Sequence, residues 1–135
     1  DFQIDGLMVL RRSDITEVKR TGTDEFQESI LKQEGIRPGA QTPMPLELSG
    51  WRPLIQQLAE HYPLMILERE LGPSPEFAIG RSLRATAAQV EFHTFTGTGK
   101  WSAKTERLKY SQITCLQVNT RYLRFYQRHF ERNAA

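Results

Sequence analysis

The chain has 135 residues and a single cysteine, Cys115, so it cannot form an internal disulfide. This excludes a disulfide-stabilised scaffold and favours a reducing compartment, and we expect a cytoplasmic protein. No apolar run approaches the roughly 18 residues that a membrane span requires, so we expect no membrane partner. Charged residues make up 25% and apolar residues 39% of the chain, which is typical of a globular protein and excludes collagen, a coiled coil or long disorder.

Signatures of common chemistry are also missing. The sequence contains no P-loop, dinucleotide fingerprint, HExxH, paired CxxC or GxSxG motif. It opens at Asp1, without a signal peptide and close to an apolar run at 7–10, from which we expect further sequence upstream. We therefore predict that the protein is not an enzyme and uses no catalytic residue, metal or cofactor.

The charge is unevenly distributed. Residues 1–97 carry ten bases and fourteen acids, a net charge of −4, whereas residues 98–135 carry eight bases and two acids, a net charge of +6. The overall +2 therefore hides a basic C-terminal third. This third could meet phosphate or an acidic protein, or could be a solvated face that balances the acidic remainder.

The N-terminal and central parts of the chain read as three segments. Residues 1–34 hold two short predicted strands, at 7–12 and 14–20, and a helix at 24–34 capped by Thr23 or Asp24. Residues 35–50 contain three prolines and three glycines and are a predicted linker or surface loop. Residues 51–135 form the main predicted domain, and begin with an amphipathic helix from Trp51 to Tyr62.

Five short strands follow this helix, and a last helix capped by Thr120 ends the chain. The strands are predicted at 64–67, around Phe77 to Gly80 with a bulge or a close approach, at 88–93, at 101–110 and at 114–118. Five short strands with tight turns favour a small closed barrel with flanking helices, so the fold class is mainly β with α. The predicted core comprises Leu10, Ile15, Phe26, Ile30, Trp51, Leu54, Leu58, Ile66, Phe77, Val90, Phe92, Leu108, Ile113, Leu116 and Phe125.

A short internal repeat links the two ends of the chain. The six residues from Ser13 to Val18 match those from Ser111 to Leu116 at three positions, at an offset of 98. In each copy the apolar residues are three apart, which breaks strand alternation and predicts a one-turn 3₁₀ corner at the Ser-x-Ile segment, Ser13 to Ile15 and Ser111 to Ile113. Residues 7–34 are then a partial second copy of the barrel, with two strands and a helix; chance similarity is the alternative.

This order of elements resembles the Sm-like and SH3-like small barrels, with Trp51–Tyr62 as the leading helix and Leu64–Val118 as the barrel. The aspartate and asparagine with which Sm proteins contact RNA have no counterpart here, and the segment from Gly80 to Arg84 is only loosely similar. The tandem arrangement also looks like small uncharacterised bacterial proteins, from which no activity carries over.

Three sets of polar residues could carry chemistry. Cys115 could be a nucleophile served by His93 or His129, or a small buried hydrophobe. Glu91 and His93 share one strand face and could begin a metal site, or could be a polar surface. Glu68 and Glu70 share a face in the same way, and a solvated edge is the alternative to acid–base work.

The predicted contact residues lie in the basic third. Arg121, Arg124, Arg128 and Arg132 recur at helical spacing beside a stripe of aromatic residues, an arrangement that can stack bases and neutralise phosphates. The other candidates are Phe95, Lys100, Trp101 and Lys104 of the preceding hairpin. The aromatic residues could instead pack on the barrel, with the arginines in water.

We predict a non-catalytic binding or assembly module that acts through protein contacts, with a protein partner or homo-oligomer. Nucleic-acid binding, to RNA, through the basic aromatic third is the alternative. A hydrolase or metal enzyme built on Glu91, His93 and Cys115 is a third hypothesis.

Overall fold

The computed structural model describes residues 5–36 and 44–134, and it is a mixed α/β fold in which one antiparallel sheet lies between helices. The strands are β1 (Leu7–Leu10), β2 (Met65–Arg69), β3 (Glu76–Ala85), β4 (Gln89–Thr94), β5 (Glu106–Lys109) and β6 (Cys115–Val118). The helices are α1 (Gly22–Gln33), α2 (Trp51–His61) and α3 (Arg121–Asn133), and two 3₁₀ turns lie at Arg12–Asp14 and Tyr110–Gln112.

The sheet is open, so the predicted closed five-stranded barrel is wrong. Its strand order is β1-β6-β2-β3-β4-β5, with every neighbouring pair antiparallel. Closure would require β5 to pair with β6, but β1 occupies the outer edge of β6, with Leu7 opposite Val118 and Leu10 opposite Cys115. The N-terminal strand thus becomes the sixth strand of the same sheet.

The apolar residues form one core cluster on each side of the sheet. Met65 and Leu67 pack with α2 in the first cluster, and Ile66 packs with Leu123 of α3 in the second. Strand β2 is therefore buried on both faces, which explains its unbroken apolar run. A barrel needs only one apolar interior, whereas this sheet needs a helix on each face.

The predicted core is correct in the centre of the chain and wrong at its ends. Leu54, Leu58, Ile66, Val90, Phe92, Leu108, Ile113 and Leu116 are buried, and Ile30 and Trp51 are half-buried. Five predicted core residues are exposed, because helical or strand spacing does not say whether a partner covers the apolar face: Leu10, Ile15, Phe26, Phe77 and Phe125.

Helix α1 is a surface helix, and none of its residues is buried. It begins earlier than the predicted cap at Thr23 or Asp24, because the backbone N–H of Thr21 donates to the Asp24 carboxylate at 2.6 Å. This bond, made by the backbone of Thr21 and supported by its hydroxyl, lowers the pKa of Asp24 below its usual value. The predicted second strand at 14–20 is also wrong: residue 14 ends the 3₁₀ turn, and residues 15–20 are extended but unpaired.

Other local predictions are confirmed. Both 3₁₀ corners are present, and each ends directly before the isoleucine of its copy, Ile15 or Ile113. Thr120 caps α3, since its hydroxyl accepts a 3.1 Å hydrogen bond from the N–H of Leu123. The predicted linker at 35–50 lies partly outside the described residues; its last part, from 44 to 50, contains no strand or helix.

Gly80 marks the predicted close approach. A Cβ atom at this position would lie 2.0 Å from the backbone oxygen of His93 on the neighbouring strand. Only glycine lets β3 and β4 approach in this way. The pairing of β3 with β4 also shifts between Ser82 and Arg84, so a bulge follows the close approach.

Candidate partner-binding surfaces

The arginine row of α3 is positioned by the Thr120 cap and does not behave as one unit. Arg124 is half-buried; its guanidinium donates to the backbone oxygen of Asn119 and lies 3.9 Å from the Asp5 carboxylate. Arg121, Arg128 and Arg132 are exposed. Arg124 therefore helps to hold the start of α3, and Arg128 and Arg132 present positive charge to water.

The aromatic residues of α3 divide between the core and the surface. Tyr126 is buried, and its hydroxyl donates to the backbone oxygen of Gly97 at 2.8 Å. Phe130 is half-buried and meets Trp101 with 4.8 Å between ring centroids. Tyr122 and Phe125 are exposed, and Phe125 is 60% exposed among the arginines. The outer face of α3 thus combines positive charge with an uncovered aromatic ring.

The predicted contact residues of the hairpin separate in the same way. Phe95 is only 4% exposed and packs against Tyr126, so it belongs to the core and not to a contact surface. Strand alternation places Phe95 on the face of the sheet opposite Phe92, and α3 covers that face. Lys100 and Lys104 are exposed.

Trp101 lies at the centre of a half-buried aromatic cluster that the sequence did not indicate. The guanidinium carbon of Arg81 is 4.7 Å from its ring centroid, and the His93 ring centroid is 4.8 Å away. The His93 ring nitrogen Nε2 also bonds the backbone oxygen of Ser102 at 2.8 Å. Because Arg81 is on β3, only the sheet register could have revealed this cation–π contact.

The residues of the enzyme hypothesis are not brought together. Cys115 is on β6 and His93 is on β4, with β2 and β3 between them. Burial raises the pKa of the Cys115 thiol to about 12, with smaller contributions from the hydrogen bond to Glu68 and the charges of Glu68 and Glu70. Such a thiol is protonated at neutral pH and is a poor nucleophile.

The acidic pairs have structural partners as well. Glu91 lies 3.9 Å from Arg107, the side chain of Gln117 donates to the Glu68 carboxylate at 3.2 Å, and the hydroxyl of Thr114 donates to Glu70 at 3.2 Å. Within residues 5–36 and 44–134, no group of three or more His, Cys, Asp or Glu side chains is placed to hold a metal ion.

An open depression of about 680 Å³ beside β3 and β4 contains the one polar feature that sequence reasoning missed. Arg69 donates to Glu76 and lies 4.0 Å from Glu106, and Phe77 and Tyr122 form part of the wall. The buried Nε of Arg69 has no hydrogen-bond partner among the described residues.

Within residues 5–36 and 44–134, each edge strand of the sheet has one neighbour. Strand β1 pairs with β6 and β5 pairs with β4, so each has one row of backbone groups that no described strand covers. Several apolar side chains in the N-terminal part of the chain are exposed: Met8, Leu10, Ile15, Val18 and Phe26. Exposed apolar side chains that share one face of a strand, as Met8 and Leu10 of β1 do, are typical of a surface that meets another protein.

A scan against known protein families, a search of curated proteins and a search of solved structures each found no match to this chain. The resemblance to small barrels therefore stays a prediction. Every helix in the described part of the chain is too short or too polar to cross a lipid bilayer.

Proposed function

We propose that the protein is a non-catalytic binding or assembly module that acts through protein contacts along the edges of its sheet. The observation that carries this proposal is the position of β1. Strand β1 lies along β6, in register over four residue pairs. It comes from a remote part of the chain, since more than fifty residues separate it from the next strand in sequence, β2. The sheet thus accepts an added strand, which is how β-augmentation joins proteins.

The two free edges support the same proposal. Edge strands expose unsatisfied N–H and C=O groups, and proteins that do not use them usually shield them. Here β1 carries exposed Met8 and Leu10 and lacks the charge that shields unused edges, whereas β5 carries charged side chains that exclude every partner except one of complementary charge. The apolar edge is suited to burial against a partner, and the charged edge is suited to a partner with complementary charge.

Proline substitution tests the proposal edge by edge. In β1 the N–H of Arg11 donates to Thr114, so alternation points the backbone of Met8 to the open side. In β5 the N–H of Tyr110 donates to Ala88, so alternation points the backbone of Arg107 outward. Met8→Pro and Arg107→Pro should each remove one outward donor without removing a bond of the sheet.

Sedimentation velocity across a hundredfold range of concentration is the measurement. We expect the wild-type protein to associate and at least one proline variant to sediment as a monomer, with urea unfolding showing that the variant is folded. A wild-type protein that stays monomeric throughout this range, with neither edge protected from hydrogen exchange, would refute the proposal.

Nucleic-acid binding is a second candidate function, and the outer face of α3 favours it. Phe125 is exposed on the same helix as the exposed Arg128 and Arg132, so a base could stack on the ring while phosphates meet these two guanidinium groups. The test is the affinity for a fluorescent oligouridine as a function of salt concentration. The variant Arg128→Ala/Arg132→Ala should flatten the logarithmic salt slope by about 1.4, since each lost phosphate contact removes about 0.7 on a single strand.

The matched control is Arg12→Ala/Lys32→Ala, which removes two exposed charges far along the chain from α3. It should leave the salt slope unchanged. Equal losses in both double variants would show nonspecific attraction, and no binding at low salt would eliminate this function.

A further inference from the structure

Two stretches of the chain have the same local structure. The 3₁₀ turns at Arg12–Asp14 and Tyr110–Gln112 are 98 residues apart, the offset of the sequence repeat. The residue before each turn has nearly the same backbone angles, φ −73° and ψ 119° at Arg11 against φ −72° and ψ 133° at Lys109. The isoleucine after each turn has extended backbone angles in both copies, and its N–H donates to the carbonyl of the first residue of the turn.

The elements around the turns correspond as well. Strand β1 precedes the first turn and β5 precedes the second, and α1 and α3 follow with threonine at both N-caps, Thr21 and Thr120. The copies differ in the stretch after the turn. In the second copy it is β6, whereas in the first it is the extended stretch 16–20, which makes no backbone hydrogen bond within the described chain.

The pairing of β1 with β6 shows how the two copies join. The strand before the turn in copy one lies along the strand after the turn in copy two. The reciprocal contact would place β5 along the stretch 16–20, but among the described residues of one molecule nothing pairs with either on that side. Resting on the proposed function, we propose that β5 pairs antiparallel with residues 16–20 of a second copy of this chain.

The register of this contact follows from the observed one. Adding 98 to each β1 residue and subtracting 98 from its β6 partner gives the expected pairs. Leu7 opposite Val118 becomes Thr105 opposite Arg20, and Met8 opposite Gln117 becomes Glu106 opposite Lys19. The second pair joins opposite charges across the interface, which stabilises cross-strand pairs.

Two independent features of the chain fit this register. In β1 the backbone N–H and C=O groups of the odd-numbered residues point toward β6, as the hydrogen bond from Arg11 to Thr114 shows. Because the offset of 98 is even, the odd-numbered residues of β5 must likewise point away from β4, toward the second copy. They do so, since Tyr110 donates to Ala88 on the inner side. On the other strand, Val18 is 84% exposed, so the stretch is accessible to a partner.

The contact is heterologous, because β5 of one molecule meets residues 16–20 of the next. A pair joined in this way keeps one free β5 and one free 16–20 stretch, so assembly continues until a ring closes or a filament grows. A symmetric dimer through β1 against β1 is the rival arrangement.

Disulfide trapping tests the register. Glu106 and Lys19 would form a non-hydrogen-bonded pair, with Cα atoms about 4.5 Å apart, which is a distance that a disulfide can span. Glu106→Cys and Lys19→Cys are made as separate proteins, mixed in equal amounts and oxidised mildly. The native Cys115 is buried and protonated, so it does not compete.

The mixture should give a crosslinked dimer and nothing larger, because each molecule carries one engineered thiol. The double variant should instead give a ladder of oligomers. Glu106→Cys mixed with Val18→Cys is the matched control; Val18 projects from the opposite face of the strand, so this mixture should stay uncrosslinked. A dimer from Glu106→Cys alone, or equal crosslinking in the control, would overturn the proposal.

Edge blocking gives a second readout. Arg107→Pro should abolish association of the wild-type sequence, whereas Met8→Pro on the other edge should leave it unchanged. If Met8→Pro abolishes association and the cysteine mixture fails to crosslink, the β5 contact is wrong while an edge-binding module stands. If neither edge supports association at any concentration tested, both the contact and the proposed function fail.

Discussion

Replacement of Gly80 by alanine is the most demanding test of the sheet geometry. The added Cβ would lie 2.0 Å from the backbone oxygen of His93 and 2.9 Å from the Cα of Thr94. Since real Cβ atoms essentially never approach another heavy atom within 3.0 Å, the two strands must separate by at least about 1 Å at this point (3.0 Å minus 2.0 Å). Backbone atoms on both strands would have to move, and no flexible side chain can absorb the change.

The loss of folding stability in Gly80→Ala can be expressed in kcal/mol. Overpacking of a tight site typically costs 1–3 kcal/mol, and we expect the upper end, about 3 kcal/mol, because the obstacle is backbone. Gly80 also pairs with Met65 on its other side, so a displaced β3 disturbs three strands together. With a urea m-value of about 2 kcal/mol per M, the unfolding midpoint should fall by about 1.5 M.

Gly22→Ala is the matched control. Gly22 is the first residue of α1, its φ is not in the left-handed region, and a Cβ there would meet no atom within 4 Å. This variant should unfold within about 0.5 kcal/mol of the wild type, or be slightly more stable. Equal midpoints for the two alanine variants would show that β3 and β4 do not approach each other as described.

Three further outcomes follow from single contacts. Tyr126→Phe should lower the unfolding free energy by about 1 kcal/mol, because it removes the hydroxyl that bonds Gly97. Thr120→Ala should lower the free energy of unfolding in urea by about 1 kcal/mol, because it removes the cap of α3. Thr21→Ala is the control and should change that free energy little, since Thr21 caps a helix without buried residues. Equal effects would place α1 in the cooperative core. Because the pKa of Cys115 is raised, the unfolded thiol ionises near pH 9 and the native thiol only near pH 12. The free energy of unfolding should therefore fall as the pH rises through this window. Cys115→Ala should flatten that fall in urea titrations at increasing pH.

The sequence predicted those elements whose signal is local. Helix α3 could be placed because Thr120 is a strong cap and the aromatic spacing is helical. Both 3₁₀ corners followed from an isoleucine placed three residues, not two, before the next apolar residue. Closure of the sheet could not be predicted in this way. It depends on which strand occupies the outer edge of β6, and strand alternation carries no information about edges.

The candidate surfaces show the same limit. Arg128 and Arg132 are exposed, as a charged stripe predicts, but Phe95 is buried and Phe125 is exposed, the reverse of their expected positions. Phe95 follows β4 directly and alternates onto the face opposite Phe92, where Tyr126 and Phe130 of α3 cover its ring. Phe125 has helical spacing but lies on the side of α3 that no strand covers. Periodicity identifies a stripe, and only the packing of neighbours decides whether it is covered.

The lack of backbone pairing from residue 16 to residue 20 within the described chain has an evolutionary consequence. A loop whose backbone pairs with nothing and whose contacts are surface ion pairs, such as that of Arg20 with Glu28, accumulates substitutions, insertions and deletions freely, so Val18 should drift as fast as any surface position if the chain acts alone. A stretch that must align with a neighbouring strand cannot change length, and its alternate positions are selected differently. Variation among natural versions of this protein should then preserve the spacing between the first 3₁₀ turn and α1 while the side chains on one face diverge.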